Sequence, residues 1–351
     1  MPAVQPPCKV LVSGATGYIA AWVVQNLLEK GYSVRGTARS VEKGDHLKKV
    51  FASYGDKFEV VVVDDIARDG AFDEAVKGVD AIEHTASPFH MNALIKPAVN
   101  GTVGILKSVL KDASTKVQRV VITSSGAAVL RDDPNPVTFT EEDWNNQCLE
   151  ILKKFEDEGR KNDAPNMVKY RASKTLAERS AWEFVNSPEN KPRIKWDLVV
   201  LNPPFPAIHQ VTTASSLNTS AAIFYNYVAD SAKANAAGND FLTKTGTCWI
   251  DVRDLAEAHA LALEKQAAGG ERIIISAGLW KWQDFIDAAN DLTPPPKLTT
   301  TLPVGVRGAG KTAQHLTFYN TAKADRILGL KYRSIAETTK DTFADYESRG
   351  W

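Results

Sequence analysis

Tyr170 and Lys174 stand four residues apart in "MVKYRASKTLAERSAW" (167–182), a spacing that puts both on one face of a helix. A phenol titrates near ~10, too high for ready proton exchange at neutral pH. An ammonium one turn away stabilises phenolate and lowers that value. Alone, Tyr-x-x-x-Lys recurs by chance and marks nothing more than a helix face. A second feature gives it weight: "VVITSSGAAV" (120–129) sets Ser124 and Ser125 at the end of a predicted parallel strand, where open α/β sheets bind ligands. A hydroxyl there can hold a carbonyl oxygen beside the phenol.

These groups need a scaffold, and the first half of the chain supplies an alternating one. "KVLVSG" (9–14) is a short β-rich run, and "YIAAWVVQNLLEKG" (18–31) has helical spacing with Gly31 as its stop. "YSVRGTAR" (32–39), "FEVVVVDD" (58–65), "DAIEHTAS" (80–87), "QRVVITSS" (118–125) and "WDLVVLNPP" (196–204) are further strand-like runs, most followed by helical segments. Near-continuous apolar strands indicate a parallel sheet covered on both faces, hence a doubly wound α/β fold of Rossmann type. After Pro203 the rhythm changes, and "TPPPKLTTTLPVGVRGAG" (293–310) is loop-like. Residues 1–202 are expected to form a dinucleotide-binding domain that also receives part of 245–275. Residues 203–351 are expected to form mainly a smaller α/β substrate domain at the sheet's C-terminal edge. "EEDWNNQ" (141–147) and "LKKFEDEGRKND" (152–163) read as a solvated helix and loop.

The dinucleotide reading comes from "KVLVSGATGYIA". Gly14 permits a tight turn after the first strand, Gly17 lets the backbone approach a pyrophosphate, and Ala20 stands where a third small residue lets helix and strand pack closely. The following helix offers its unpaired N–H groups and positive dipole end to the phosphates. At the end of the second strand, where an acidic residue would hold a ribose 2′-hydroxyl, the chain has Ala38, then Arg39 and Lys43. Ala38 does not repel a 2′-phosphate and Arg39 can grip one with two charge-assisted hydrogen bonds, which favours NADP(H). Lys174 can also hydrogen-bond the nicotinamide ribose and so tie acid to cofactor.

Composition narrows the partner. The 351 residues are 44% hydrophobic and 24% charged, and 42 basic side chains balance 42 acidic ones, so no charge excess points to nucleic acid or an anionic membrane. Cys8, Cys148 and Cys248 are too few and too far apart for a disulfide framework, which suits a reducing compartment. The six histidines show no metal-ligand spacing. "MPAVQPPC" lacks the features of a signal peptide, and no run approaches the ~18 apolar residues that span a bilayer. A soluble cytoplasmic protein, monomeric or homodimeric, with a small-molecule substrate and no metal, is the expectation.

Taken with "GTARS", "HTASPF", "PAVNGTVGIL", "YRASK", "LNPP", "LNTS" and "WIDVRDLAEAHALALEK", these motifs make the chain resemble an extended short-chain dehydrogenase/reductase over nearly its whole length. Within that superfamily it resembles the dihydroflavonol-reductase-like group, in particular fungal NADPH-dependent aldehyde/carbonyl (methylglyoxal) reductases. The resemblance implies Ser125, Tyr170 and Lys174 as catalytic residues. It assigns Gly14, Ala15, Thr16, Gly17, Tyr18 and Ile19 to the dinucleotide loop and Arg39 and Lys43 to the 2′-phosphate. Asp65 and Ile66 match positions beside the adenine, and Thr85, Ala86 and Ser87 the segment along the cofactor. Pro203, Phe205 and Ser220 match positions near the nicotinamide.

The implied reaction is hydride transfer from NADPH to a carbonyl carbon, with Tyr170 as proton donor and Ser125 holding the oxygen. Two departures from the family pattern border the substrate pocket. "PPFPAIHQ" (203–210) replaces a Gly-Pro pair with Ile208 and His209, and Gly126 stands where some relatives carry an aromatic. Phe89 reads as an apolar wall of that pocket, Trp249 as packing, and Asp251 and Asp254 as helix caps. The alternatives are a flavonoid- or steroid-type reductase with a larger pocket, a sugar-nucleotide epimerase, against which Ala38–Arg39 argues, and a redox-sensing protein that holds NADP(H) without turnover.

Overall fold

A computed structural model describes residues 3–87, 95–207 and 217–351; Phe89, Ile208 and His209 lie outside the described residues. Twelve strands are described: β1 (Lys9–Ser13), β2 (Ser33–Ala38), β3 (Phe58–Val62), β4 (Ala81–His84), β5 (Arg119–Thr123), β6 (Val137–Phe139), β7 (Asp197–Asn202), β8 (Phe205–Ala207), β9 (Cys248–Asp251), β10 (Arg272–Ile274), β11 (Gly278–Leu279) and β12 (Thr317–Tyr319). Seven of them form one parallel sheet in the order β10-β7-β5-β4-β1-β2-β3. The order reverses between β1 and β4, and there the C-terminal strand ends open a crevice for a ligand.

Alternation along each strand builds the two faces. Val10 and Val12 of β1 join one buried cluster with Val23, Val24 and Leu27, while Leu11 between them joins the opposite cluster. The first cluster is closed by helix α1 (Tyr18–Glu29) and the helix Val252–Glu264. The second lies under α3 (Ile95–Lys111) and α5 (Asn166–Asn186). Between them in sequence come α2 (Val41–Val50) and α4 (Asn146–Asp157). Each Val, Leu or Ile removed fully from water contributes ~1.5–3 kcal/mol, so the sheet is stabilised from both sides. α1 stops where expected: Gly31 takes a left-handed φ of 94°, and the amides of Gly31 and Tyr32 close back on the carbonyls of Leu28 and Leu27.

A smaller layer covers the C-terminal edge. It contains a three-stranded sheet, β11-β9-β8, and an aromatic cluster in which Trp280 and Trp282 meet edge-on at 4.4 Å and Phe205 stacks on Trp280 at 5.4 Å. Trp249 packs there too, edge-on to Phe285. β12 pairs with β6 in a separate two-stranded ribbon, Tyr319 opposite Phe139.

Two readings need correction. The 141–147 stretch is not simply solvated: Asn145 is buried and caps α4, and Trp144 lies under the guanidinium of Arg272, 3.8 Å from its ring centre. Of the two aspartates, Asp251 does cap the helix Val252–Glu264, but Asp254 lies buried inside the first turn, accepts the Arg333 amide at 2.7 Å and pairs with the exposed Arg333 side chain. A buried carboxylate so paired ties the C-terminal segment to that helix.

Candidate active site

α5 presents Tyr170, Lys174 and Glu178 at successive turns of one face. Ser125 follows β5 and caps a single 3-10 turn, Gly126–Ala128, accepting from the Ala127 amide at 3.1 Å. Its neighbours are fixed by the next strand: the Gly126 amide donates to the Pro203 carbonyl at 2.8 Å and Asn202 Nδ2 to the Ser125 carbonyl at 3.2 Å. Ser125 and Tyr170 line one cavity, with the Ser125 hydroxyl close enough to the phenol to favour the phenolate. Burial raises the Tyr170 pKa, and the Ser125 hydroxyl is what works against that rise. The lowering by Lys174 expected from the spacing is not among the causes that set the phenol's pKa; loss of water around the phenolate is the largest of them. Lys174 is itself pushed down to about 8 by burial, with the Glu178 carboxylate opposing.

The support beneath these side chains was not legible as a site. Glu178 is buried and accepts from Ser124 Oγ at 2.5 Å, Asn202 Nδ2 at 2.8 Å and Arg272 Nε at 2.5 Å. One helix is thereby tied to the ends of β5, β7 and β10. The only sequence signal was the four-residue spacing continued once more past Lys174. His84, at the end of β4, lies 2.9 Å from Ser13 Oγ through Nδ1, and its Nε2 is buried without a partner among the described residues. Ser13 Oγ already accepts the Thr85 and Ala86 amides, each at 3.1 Å, so its own proton goes to Nδ1 and the ring proton sits on Nε2. Burial, then the nearby Lys174 charge, holds His84 down at about 3, neutral at any working pH. A cavity of about 20 Å³, room for one water, lies among His84, Thr102, Ser124, Lys174 and Glu178.

The dinucleotide loop has the shape its sequence predicts. Gly14 has φ 67°, and a Cβ there would lie 3.0 Å from the Ala86 Cα, so the turn and the β4 exit are in contact. Thr37 holds the loop, taking the Gly14 amide on Oγ1 at 2.8 Å and the Ala15 amide on its carbonyl at 2.9 Å. Thr16 and Ile19 are partly exposed at the turn, while Ala15 and Tyr18 are buried. Gly17 caps α1 with no side-chain hydrogen bond, which leaves that helix start open to an anion. Ala38 is buried, and Arg39 and Lys43 are exposed with no side-chain partner among the described residues. Thr85 Oγ1 donates to the Ser13 carbonyl at 2.5 Å, and Ala86 and Ser87 continue from it. Asp65 is exposed and accepts the Ala67 amide at 2.9 Å; Ile66 packs against Gly101 of α3. A tight glycine cradle, an uncapped helix start and two free cations beside a non-acidic strand end fit an NADP(H) molecule.

Ser125 and Tyr170 open onto a cavity of about 360 Å³ that Gly126, Phe205, Ser220 and Tyr319 also line. Pro203 is buried behind it. Among the described residues no group of three or more His, Cys, Asp or Glu is placed to hold a metal ion, and no helix is long and apolar enough to cross a membrane.

A glycine turn at the switch point of a doubly wound sheet, with Ser125 after a strand end and Tyr170 and Lys174 on α5, defines an extended short-chain dehydrogenase/reductase. The chain belongs to the NAD dependent epimerase/dehydratase family, whose pattern it matches over residues 10–278. It is 36% identical to the NADPH-dependent methylglyoxal reductase of Saccharomyces cerevisiae, over 95% of this chain and 96% of that one. It is 34% identical to a ketoreductase of Aspergillus niger, over 93% and 94%. The crystal structure of yeast methylglyoxal/isovaleraldehyde reductase complexed with NADPH superposes with a TM-score of 0.82 at 35% identity, over 97% of this chain and 99% of that one.

Proposed function

We propose that this protein is an NADPH-dependent carbonyl reductase in which Tyr170 protonates the oxygen of an aldehyde or ketone. The observation that carries the reading is the placing of Ser125 and Tyr170 together on one cavity, with Lys174 one helical turn along α5. The yeast relative's reduction of methylglyoxal with NADPH supports both the cofactor and the substrate class.

When bound, NADPH supplies the hydride. Gly14 to Ile19 would hold its pyrophosphate, Arg39 and Lys43 the 2′-phosphate, and Asp65 and Ile66 the adenine end. Thr85, Ala86 and Ser87 would flank its middle, with Lys174, Pro203, Phe205 and Ser220 at the nicotinamide end. Ser125 and Tyr170 donate hydrogen bonds to the carbonyl oxygen, and the Tyr170 proton moves to that oxygen as negative charge builds on it. The phenol starts protonated, since burial raises its pKa, so it is a donor before reaction. Lys174, protonated below about 8, favours the phenolate that remains. Phe205 and the aromatic cluster behind it keep water from the reacting oxygen.

A cavity of about 360 Å³ lies at the small end of the range for small-molecule sites, which suits compact carbonyls. We assign residues 1–202 with part of 245–275 to cofactor binding and most of 203–351 to the substrate. The three free cysteines support a reducing, cytoplasmic location.

The test is loss of reduced-nicotinamide absorbance with methylglyoxal or an aromatic 2-oxo ester, using NADPH and NADH separately. The wild type should turn over with NADPH, and Tyr170→Phe should lose roughly 10²–10⁴-fold in kcat while still binding NADPH. A wild type that binds NADPH but reduces neither carbonyl, or a fully active Tyr170→Phe, would overturn the reading.

A further inference from the structure

We propose that Tyr319 sets substrate preference: its hydroxyl donates a hydrogen bond to a second oxygen next to the reacting carbonyl, so the site favours vicinal dicarbonyls and 2-oxo esters over monocarbonyls. This rests on the reductase reading and names which carbonyls that site takes.

Tyr319 comes from far along the chain. It ends β12, opposite Phe139 of β6, and the amide of Asn320 donates to the Phe139 carbonyl at 2.9 Å. Its ring meets that of Phe139 at 6.4 Å and packs against the buried cluster of Val129, Phe139 and Ile274. This packing fixes the ring and carries the hydroxyl into the cavity wall, where Oη is buried and has no hydrogen-bond partner among the described residues. Burial raises the phenol's pKa, so it remains an O–H donor across the working pH range.

The hydroxyl points at Gly126, the residue after Ser125. A Cβ built at Gly126 would lie 2.3 Å from Tyr319 Oη, closer than any real contact. Glycine at 126 therefore makes room for a phenol delivered by a different segment, and a side chain at 126 and the Tyr319 hydroxyl cannot share that space. Glycine at 126 and the phenol left unpartnered among the described residues are two halves of one arrangement.

What the hydroxyl would bind follows from its surroundings. Ser125 and Tyr170 already serve the reacting oxygen. Leu130, Met167 and Ile223 line the cavity with apolar side chains; among its polar residues, Asn166, Arg171 and Ser220 included, Tyr319 Oη is the buried side-chain atom left without a partner among the described residues. A buried donor left unmatched carries a free-energy cost, relieved when a ligand brings an acceptor. A carbonyl or ester oxygen one bond from the reacting carbon is such an acceptor; the methylene of a simple aldehyde is not. A site with a buried donor to satisfy discriminates against the analogue lacking its partner.

The experiment compares kcat/KM for methylglyoxal and for propanal, with NADPH and the full chain, in wild type, Tyr319→Phe and Gly126→Ala. Tyr319→Phe keeps the packed ring and removes only the donor. It should lower the methylglyoxal-to-propanal ratio roughly tenfold, chiefly through the KM for methylglyoxal. Gly126→Ala, which displaces the hydroxyl, should shift the ratio in the same direction. A ratio within about twofold of wild type in Tyr319→Phe, whether both rates fall together or neither moves, leaves Tyr319 a packing residue and overturns the proposal while the reductase reading stands. A wild type that reduces neither carbonyl overturns the reductase reading itself, and this proposal with it.

Discussion

Glu178 accepts the Nε–H of Arg272 at 2.5 Å with both side chains buried, one helical turn beyond Lys174. The pair joins α5 to β10, so a helix that carries the proton donor is anchored to a strand from late in the chain. Arg272 is held further by the carbonyls of Glu141 and Asp143 and by the face of Trp144. The same carboxylate supplies the charge that opposes the burial of Lys174. Stability and proton chemistry meet in one residue.

Removing that charge should be felt in both. Glu178→Gln leaves the buried Arg272 without its anion, and breaking one side of such a pair costs about 3 kcal/mol or more. The urea midpoint should fall accordingly, with the slope unchanged. In the same variant the Lys174 pKa should drop below about 8, since its one opposing charge is gone. An unaltered midpoint would mean that the carbonyls and Trp144 suffice for Arg272.

Lys174 should write a pH dependence of defined sign. Its folded value, about 8, is below the ordinary 10.5. Below about 8 both folded and unfolded chains hold the proton, and the burial cost is constant. Between about 8 and 10.5 the unfolded chain binds more protons, so this residue's contribution to stability improves as pH rises. Lys174→Met should accordingly exceed wild type in cofactor-free stability at pH 7.5 by more than at pH 10. A gap that is equal at both pH values would show that Lys174 is not titrating in this window. Activity should move the other way, kcat/KM falling above about pH 8 as the ammonium discharges.

The strands of the large sheet were legible because each carries a run of apolar, mostly β-branched residues that the sheet buries on both faces. β1 is the plainest case, with Val10, Leu11 and Val12 serving two opposite clusters. Ser125, Tyr170 and Lys174 were legible as a set from their order and spacing, and the structure brings them together. Glu178 was not singled out, since a carboxylate on a helix usually faces solvent and only the ends of three other strands bury this one. Tyr319 was hidden for a different reason: β12 is three residues long and its partner β6 lies some 180 positions earlier. No local pattern encodes such a pairing. The corrected reading of 141–147 has the same origin, because its burial depends on Arg272.

Cofactor choice should turn on Arg39. The residue follows the C-terminal end of β2: Ser40 caps α2, which leaves Arg39 just outside the helix and Lys43 in its first turn. Both side chains are exposed and unpaired among the described residues, so neither must break a contact to meet a phosphate. A hydrogen bond to a charged group contributes about 1.5–3 kcal/mol, so Arg39→Ser should lower the NADPH-to-NADH ratio of kcat/KM by roughly 10–100-fold. Lys43→Ala should have a smaller effect, as an ammonium acts on phosphate as a point charge rather than a fork. Exposed cations are screened by salt, so the wild-type KM for NADPH should rise with ionic strength and that of Arg39→Ser should rise less. If the ratio survives Arg39→Ser, the 2′-phosphate is held elsewhere and the reading of "GTARS" is wrong.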